Sequence, residues 1–575
     1  MDSCGLTEAK GKWGLSRPVR DGTEGGVVVG KAAHLDTSQY VTEGAIPPEQ
    51  DWTKTCTDTP IKPIEKGLPK TVESLCPECR KVTPARMFEE DGAVWMEKTC
   101  PEHGYVKDLY WSDAELYLKA EDWFFGDGVG LSNPQVPQAT KCPDQCGLCN
   151  MHTSHTGLGN IDLTNRCNLT CPICFANANV QGYVSEPSYE EVVEMLKSYR
   201  AERPVAGRMV QFSGGEPTIH PRFLDVIKAA KDLSFSHIQI ATNGIRFKSL
   251  EFAEKTAEAG LHTLYLQFDG LTEDCYTHTR GRPLLETKMK AIDNIRKAGM
   301  KIVFVPTIIN TVNDDQVGPI LKFAIDNIDV ISGISYQPVC FTGRIDSGER
   351  AKLRFTLPDI AKRVQEQTGL ADAMKDWYPL TCVSPFSNLT GALRGEDFVH
   401  LSCHPHCSLG TYFFVSPNGE AVPAPRFLDI EKLFTEMNKL AHSQTAMKHK
   451  TYTKVKALNY LRKYFDGSKA PEGLSFTGFL QTMDGLMDKK HGRGAKDGTY
   501  TYKTLMVAGM HFMDCYNYQV ERVKRCVIHY AAPNGLMYPF CAYNSGPVFR
   551  DKVEKKFSIP LEEYKQRQGR SSDTE

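Results

Sequence analysis

What this chain lacks narrows it first. No run of about 18 consecutive apolar residues occurs, so no transmembrane helix is expected. The opening stretch MDSCGLTEAKGK has neither the basic nor the apolar segment of a secretory leader, which makes a cytoplasmic protein the expectation. Net charge is nearly absent as well: 68 Lys and Arg face 70 Asp and Glu, so nothing draws the whole chain to nucleic acid, and no such partner is expected. Neither a general acid–base pair nor a nucleophile triad announces itself.

Cysteine is what the chain has in quantity. Nineteen thiols in a reducing compartment do not describe a disulfide framework, and their clustering at short spacings points to metal. Some stand alone (Cys4, Cys56, Cys275, Cys340) and read as small buried or loop residues. A length of 575 residues suggests three or four domains. Residues 1–70, rich in Gly, Pro, Thr and Asp, read as an irregular extension. Within it GGVVVGKA, residues 25–32, nearly fits a phosphate loop, but Ala32 stands where a hydroxyl would bind magnesium.

Residues 71–112 carry CPEC, with Cys76 and Cys79, and CPEHG, with Cys100 and His103, on either side of a hairpin-like stretch. Two ligand knuckles joined by a hairpin describe a rubredoxin-like or zinc-ribbon knob holding one mononuclear iron or zinc. His103 offers nitrogen where a rubredoxin site uses sulfur. A structural metal and an electron-transfer metal are both open.

From residue 159 to 345 short β-rich runs alternate with helical patterns, the signature of parallel βα units. Six strands are expected, at 161–164, 208–213, 237–241, 263–268, 301–307 and 333–337, giving an α/β fold built as a partial (β/α)6 barrel of TIM type. Ser188 and Glu191 form a capping box for one helix, and Gly299 stops another.

Directly after the first strand, NRCNLTCPICFA places Cys167, Cys171 and Cys174 at the barrel's C-terminal rim. Three thiolates hold three irons of a cubane and leave the fourth open to a ligand. The second strand ends in GGEP (Gly214, Gly215, Glu216, Pro217), a turn whose backbone can approach a small polar ligand, and ATNG and FDG follow at the next two strand ends. KCPDQCGLCN repeats the 3-then-2 spacing at Cys142, Cys146 and Cys149 but has no strand and GGEP turn of its own, so this segment, 113–158, is expected to bind an auxiliary cluster.

Beyond residue 345 the pattern turns irregular, and 346–575 reads as a C-terminal auxiliary-cluster and substrate-binding region. It carries Cys382, Cys403, Cys407, Cys526 and Cys541, which with the 142–149 triad make eight thiols, enough for two fully ligated cubanes. Spacing does not assign them; the working division joins Cys382 to the triad and groups Cys403, Cys407, Cys526 and Cys541. His404 and His406 read as buried, hydrogen-bonded side chains ahead of ligands. Residues 439–469 hold eight Lys or Arg against one Asp, either a solvated helical face or a contact for anionic headgroups.

The C-x3-C-x2-C loop followed by GGEP strongly resembles the radical S-adenosylmethionine (radical SAM) superfamily. The resemblance implies that Cys167, Cys171 and Cys174 ligate a 4Fe-4S cluster whose open iron chelates S-adenosylmethionine (SAM). It further implies that the GGEP turn meets the methionyl amino group, with Asn243 and Asp269 as further cofactor contacts. The wider layout, including CPDQCGLCNMHTSHT, QFDGLTEDCYTHTRGRPLLETKMKAIDNI and SCHPHCSLGTYFF, is similar to the tetraether lipid synthases, also described as dihydropterin methyltransferase-like. That likeness implies three 4Fe-4S clusters, a mononuclear metal, a reductant such as ferredoxin or flavodoxin, and a lipid substrate with peripheral membrane contact. The activity it implies is C–C bond formation between terminal carbons of isoprenoid ether-lipid chains; alkylation of a dihydropterin or another small molecule is the alternative. No cobalamin-binding signature is evident.

Overall fold

The computed structural model describes residues 63–126, 128–343, 348–395, 398–443, 448–486, 502–547 and 549–572. The phosphate-loop-like stretch 25–32, Cys4 and Cys56 lie outside them.

Four antiparallel strands form the N-terminal knob: β1 (Lys70–Leu75), β2 (Val82–Glu90), β3 (Ala93–Cys100) and β4 (Gly104–Trp111). β3 alternates buried and half-exposed side chains, as a sheet with one wet face should. Helix α1 (Ala114–Asp122) follows, capped by the Asp113 side chain.

The centre is the expected half-barrel. β5 (Leu158–Thr164), β7 (Met209–Gly214), β8 (His237–Thr242), β9 (Thr263–Leu266), β10 (Lys301–Phe304) and β12 (Ile331–Pro338) lie side by side in chain order and all parallel. Their runs are buried almost throughout because helices cover one face and side chains fill the other. α2 (Tyr189–Ala201) carries the expected capping box, with Ser188 and Glu191 each bonded to the other's backbone. β10 stops at Phe304 rather than 307, because Pro306 cannot donate to the ladder; the chain rejoins it as β11 (Thr307–Ile308) beside β12. A short strand β6 (Tyr183–Ser185) closes the loop after β5.

The region after residue 345 is more regular than its sequence suggests. Strand Lys503–Met510 pairs parallel with β12 and strand Ile528–Ala531 parallel with β5, so the C-terminal segment extends both edges of the barrel sheet. Strands Ser408–Val415 and Met537–Pro539 add antiparallel neighbours. Nothing local marks the two strands that join the barrel, since their partners in β12 and β5 lie more than 150 residues away.

The knob is fastened to this C-terminal segment. The buried Lys98 ammonium donates to Ser74 Oγ (2.9 Å) and to the carbonyls of Cys515 (2.7 Å) and Tyr516 (3.0 Å). No helix of the described residues is long and apolar enough to cross a membrane.

Candidate active site and metal centres

All the strand-end motifs meet on one rim, because parallel strands deliver their C-terminal ends to the same side. The cluster loop leaves β5 at Thr164 and is stapled by Asn179, whose Oδ1 accepts from Cys167 N (2.9 Å) and whose Nδ2 donates to the carbonyls of Cys167 (2.8 Å) and Leu169 (3.1 Å). Leu169 N points at Cys167 Sγ (3.4 Å). Leu169, Tyr276 and Leu284 form a small apolar cluster against which Cys167 and Cys171 pack. Burial, helped by the Glu216 charge, pushes the Cys167 thiol up to about 12, and burial raises Cys171 as well. Thiols so placed become thiolates by binding metal.

The GGEP turn is sewn to this loop. Gly215 N donates to Thr164 O (2.7 Å) and Glu216 N to Arg166 O (2.9 Å). A β-carbon at Gly214 (φ 126°) would meet Thr164 O at 2.3 Å, and one at Gly215 would meet Arg166 O at 2.1 Å, so only glycine allows the approach. The Glu216 carboxylate faces inward and is filled by protein donors: Thr218 Oγ1 (2.6 Å), Thr242 Oγ1 (2.8 Å) and Asn243 N (2.9 Å). It braces β7 against β8, which leaves the backbone of the turn as the part that can face a ligand.

Asn243, at the end of β8, donates to Asn168 Oδ1 in the cluster loop (2.6 Å). Asp269, after β9, is fully buried and held by Arg280 (Nε 2.7 Å, Nη2 2.9 Å), Thr307 N (3.0 Å) and Thr279 Oγ1 (3.1 Å). Desolvation opposes its charge, but the Arg280 guanidinium prevails and keeps the carboxyl below its ordinary value. Arg280 in turn reaches Ile173 O (3.3 Å) and feels the Cys171 and Cys174 thiols. Asp269 thus communicates with the cluster loop through Arg280.

Arg280 and Lys288 were not foreseen. Arg280 ends helix Glu273–Arg280, and Lys288 sits in the first turns of helix Leu285–Lys297, burying its ammonium to donate to Asn243 O (2.6 Å) and Gln267 Oε1 (2.9 Å). Desolvation lowers that ammonium to about 7. A basic residue in a helix ordinarily reads as solvated, so the sequence holds no signal for either.

The sequence profile of the Radical SAM superfamily matches residues 161–324, and that of the HMPTM N-terminal zinc ribbon domain matches residues 68–112. The chain is 44% identical over 501 residues, 87% of its length and 97% of the relative's, to a 7,8-dihydro-6-hydroxymethylpterin dimethyltransferase of Methanocaldococcus jannaschii. This chain belongs to the radical SAM superfamily. A probable GTP 3',8-cyclase of Sulfurisphaera tokodaii is 26% identical over 182 residues, 31% of this chain and 56% of that one. Among solved structures, a methylornithine synthase aligns with 37% of this chain and 63% of its own, at 16% identity and a TM-score of 0.30.

For a radical SAM enzyme the donor set fits: three thiols on one loop, none in a disulfide, beside a turn that only glycine can make. Membership implies a 4Fe-4S cluster and SAM, for which Cys167, Cys171 and Cys174 are the ligands at hand. In the knob, Cys76, Cys79, Cys100 and His103 bring their ligand atoms within 4.8 Å of one another, a shell sized for a single ion. His103 Nδ1 lies 3.5 Å from Cys100 Sγ and 3.6 Å from Cys76 Sγ. Its hydrogen bond is the largest of the effects that bring the Cys100 thiol down to about 6.

The remaining thiols fall into neighbourhoods that revise the working division. Cys146 and Cys149 share an apolar cluster with Tyr518 and Tyr538, at whose edge Cys142, Cys526 and Cys541 pack. Cys403 feels Cys407 and Cys526, and Cys526 feels Cys541 and Cys407. Cys382 instead belongs to the apolar cluster around helix Ile430–Ala441, and its turn packs against turn Pro405–Cys407. The structure does not group Cys382 with the 142–149 triad: its turn follows the short strand paired with Ser408–Val415 and packs in a separate apolar cluster. Cys515 donates to Ser545 O (3.1 Å) and stands outside these groups. His406 stacks on Tyr117, with ring centroids 3.8 Å apart.

Proposed function

We propose that this radical SAM enzyme forms a C–C bond at an unactivated carbon of a dihydropterin-type substrate. The observation that carries the reading is the 44% identity across 97% of the Methanocaldococcus jannaschii relative, whose name describes dimethylation of a hydroxymethyl dihydropterin. Bound at a reduced cluster, SAM supplies an adenosyl radical that takes hydrogen from a strong C–H bond. The balance is one SAM and one electron in, methionine and 5′-deoxyadenosine out, for each hydrogen removed. The carbon so opened would gain a methyl group from a second SAM, with release of S-adenosylhomocysteine and uptake of a second electron.

In this proposal Cys167, Cys171 and Cys174 hold the cluster, and the Gly214–Gly215 backbone faces the amino end of SAM. Asn243 fixes the adjoining loop through Asn168. Leu169, Tyr276 and Leu284 keep water from the radical, which any stray hydrogen donor would quench. The Cys142, Cys146, Cys149 and Cys403, Cys407, Cys526, Cys541 neighbourhoods would hold two auxiliary clusters, and a ferredoxin or flavodoxin would supply the electrons.

A second reading, joining the terminal carbons of two isoprenoid ether-lipid chains, is favoured by an exposed helix that mixes lysines with large apolar side chains. Its balance is two SAM and two electrons for two C–H bonds replaced by one C–C bond. A cleft of about 590 Å³ lined by residues between Tyr378 and Lys469 contains no residue of the cluster loop or the GGEP turn, and neither reading places substrate there.

The test is anaerobic: reconstituted enzyme, reductant and SAM with either a hydroxymethyl dihydropterin or a diether phospholipid, following 5′-deoxyadenosine and substrate mass together. A pterin heavier by one or two methylene units supports the first reading. Two chains that each lose one hydrogen and become one support the second. If 5′-deoxyadenosine forms while both substrates stay unchanged, both fail.

A further inference from the structure

Among the described residues nine large apolar side chains are exposed, and three of them, Tyr452 (56% exposed), Val455 (52%) and Leu458 (44%), belong to one helix, Lys450–Lys463. Its inner face is set by Thr453 and Ala457, both buried, with Tyr460 and Leu461 packed on the apolar cluster of helix Ile430–Ala441. At 3.6 residues per turn Val455 then falls at the middle of the outward face, with Tyr452 and Leu458 on either side.

By the same periodicity Lys454 and Lys456 flank that apolar strip, with Lys448, Arg462 and Lys463 exposed near its ends and Lys450 exposed at the helix's first position, and none of the six has an acidic partner among the described residues. Arg462 and Lys463, in the last turn, suit the helix dipole, but the N-terminal lysines do not: the first turn has no acidic residue and no side-chain cap, so Lys450 opposes the dipole. Elsewhere on the surface lysines are commonly paired, as in Lys439 with Glu436 and Lys469 with Asp466, which bracket this helix in the chain.

We infer that the outward face of helix Lys450–Lys463 docks on an anionic lipid bilayer, with Tyr452, Val455 and Leu458 entering the interface and the surrounding lysines meeting headgroup phosphates. An apolar strip rimmed by cations is what an interfacial helix requires, since long lysine stems let the ammonium reach the phosphates while the strip goes deeper. A second copy of this chain on the same face would set six cations against six. A nucleic-acid backbone would use the cations but leave Val455 and Leu458 in water. Among the described residues no helix is long and apolar enough to cross a membrane, and the contact inferred is a peripheral one. The inference is independent of which substrate the barrel takes.

The experiment floats the full reconstituted chain with vesicles of phosphatidylcholine alone, or of phosphatidylcholine and phosphatidylglycerol at two to one. Binding is expected only to the anionic vesicles and weakens with salt. Lys454→Glu with Lys456→Glu is expected to lower partitioning by about tenfold or more, since each basic residue near the surface contributes on the order of a fivefold factor. Tyr452→Ser with Val455→Ser is expected to lower it comparably. Should a variant misfold, acetylation of the wild-type lysines gives a second reading: anionic vesicles should shield Lys454 and Lys456 relative to Lys439. Absence of wild-type binding, unchanged binding by either well-folded variant, or a preference for RNA over vesicles overturns the inference.

Discussion

Lys288 shows how much of the site depends on side chains that never reach a reactant. One buried ammonium ties the end of β8, through Asn243 O, to Gln267 beside β9, and Gln267 donates to Asp269. Arg280 then carries the chain to the cluster loop. Lys288 is thus a positioning residue. Lys288→Met is expected to weaken SAM binding and slow 5′-deoxyadenosine formation by about tenfold to a hundredfold, because small displacements of a reacting group cost that much. Iron content should stay unchanged, and the change that SAM induces in the cluster's EPR signal should diminish. An unaltered SAM affinity with full activity would remove Lys288 from this role.

Glu202 makes a prediction of a different kind. Its buried carboxyl accepts from Thr156 N (2.6 Å) and Thr156 Oγ1, yet desolvation outweighs those bonds and raises it from 4.5 to about 8. Between those values the folded chain keeps a proton that the unfolded chain releases. Stability is therefore lost as pH rises from about 4.5 to about 8, by at most about 1.4 kcal/mol per pH unit, and levels off above. Glu202→Gln abolishes this titration, so the variant should gain on the wild type steadily over that window in denaturant melts under anaerobic conditions. Parallel profiles would show that Glu202 does not titrate there.

At the scale of elements, two loops are held in register by backbone contact. Gly215→Ala drives a methyl group into the Arg166 carbonyl at the root of the cluster loop, so the loop or the turn must shift. Cleavage of SAM should fall by about a hundredfold or more while the fold survives, measured as 5′-deoxyadenosine per chain alongside circular dichroism. The knob is a second unit of this kind, with ligands on two turns of one sheet. Cys79→Ser and His103→Ala should each lose one equivalent of iron or zinc in elemental analysis, leaving the cluster iron in place. Retention of that metal in both variants would show that it binds elsewhere.

The half-barrel was legible because each strand is a short apolar run ended by turn residues, and because the thiol loop and GGEP sit at consecutive strand ends. Helix Glu273–Arg280 was not legible: EDCYTHTR is polar, short and without a clear apolar stripe. It is nevertheless the element that supplies Arg280.

At the scale of the whole molecule, a buried charge network joins three distant parts of the chain. Arg354 donates to Asp514 (2.6 and 3.3 Å) in the C-terminal segment and to Asp108 (3.1 Å) in strand β4 of the knob, while Phe341 N donates to Asp514 (2.9 Å). Arg354 and Asp514 are essentially sealed from solvent. Asp514→Ala strands the guanidinium and should cost about 3–5 kcal/mol, read as a lower midpoint in denaturant. The knob's zinc or iron should remain bound, since none of its ligands touches the network. A change below about 1 kcal/mol would mean that water replaces the lost carboxylate.

The sequence by itself determined the chemistry that depends on local order: the strand, thiol loop and glycine turn of the radical SAM rim, and the two-knuckle metal knob. These are legible because ligand spacing and turn geometry act over a few residues. Tertiary structure alone decided which lone thiols become neighbours, that Cys382 sits apart from the 142–149 triad, and that two C-terminal strands complete the barrel sheet. It also decided that Arg280 and Lys288 are buried beneath the site, because pairing across more than a hundred residues and the desolvation of a charge depend on what packs against each group, which no local pattern records.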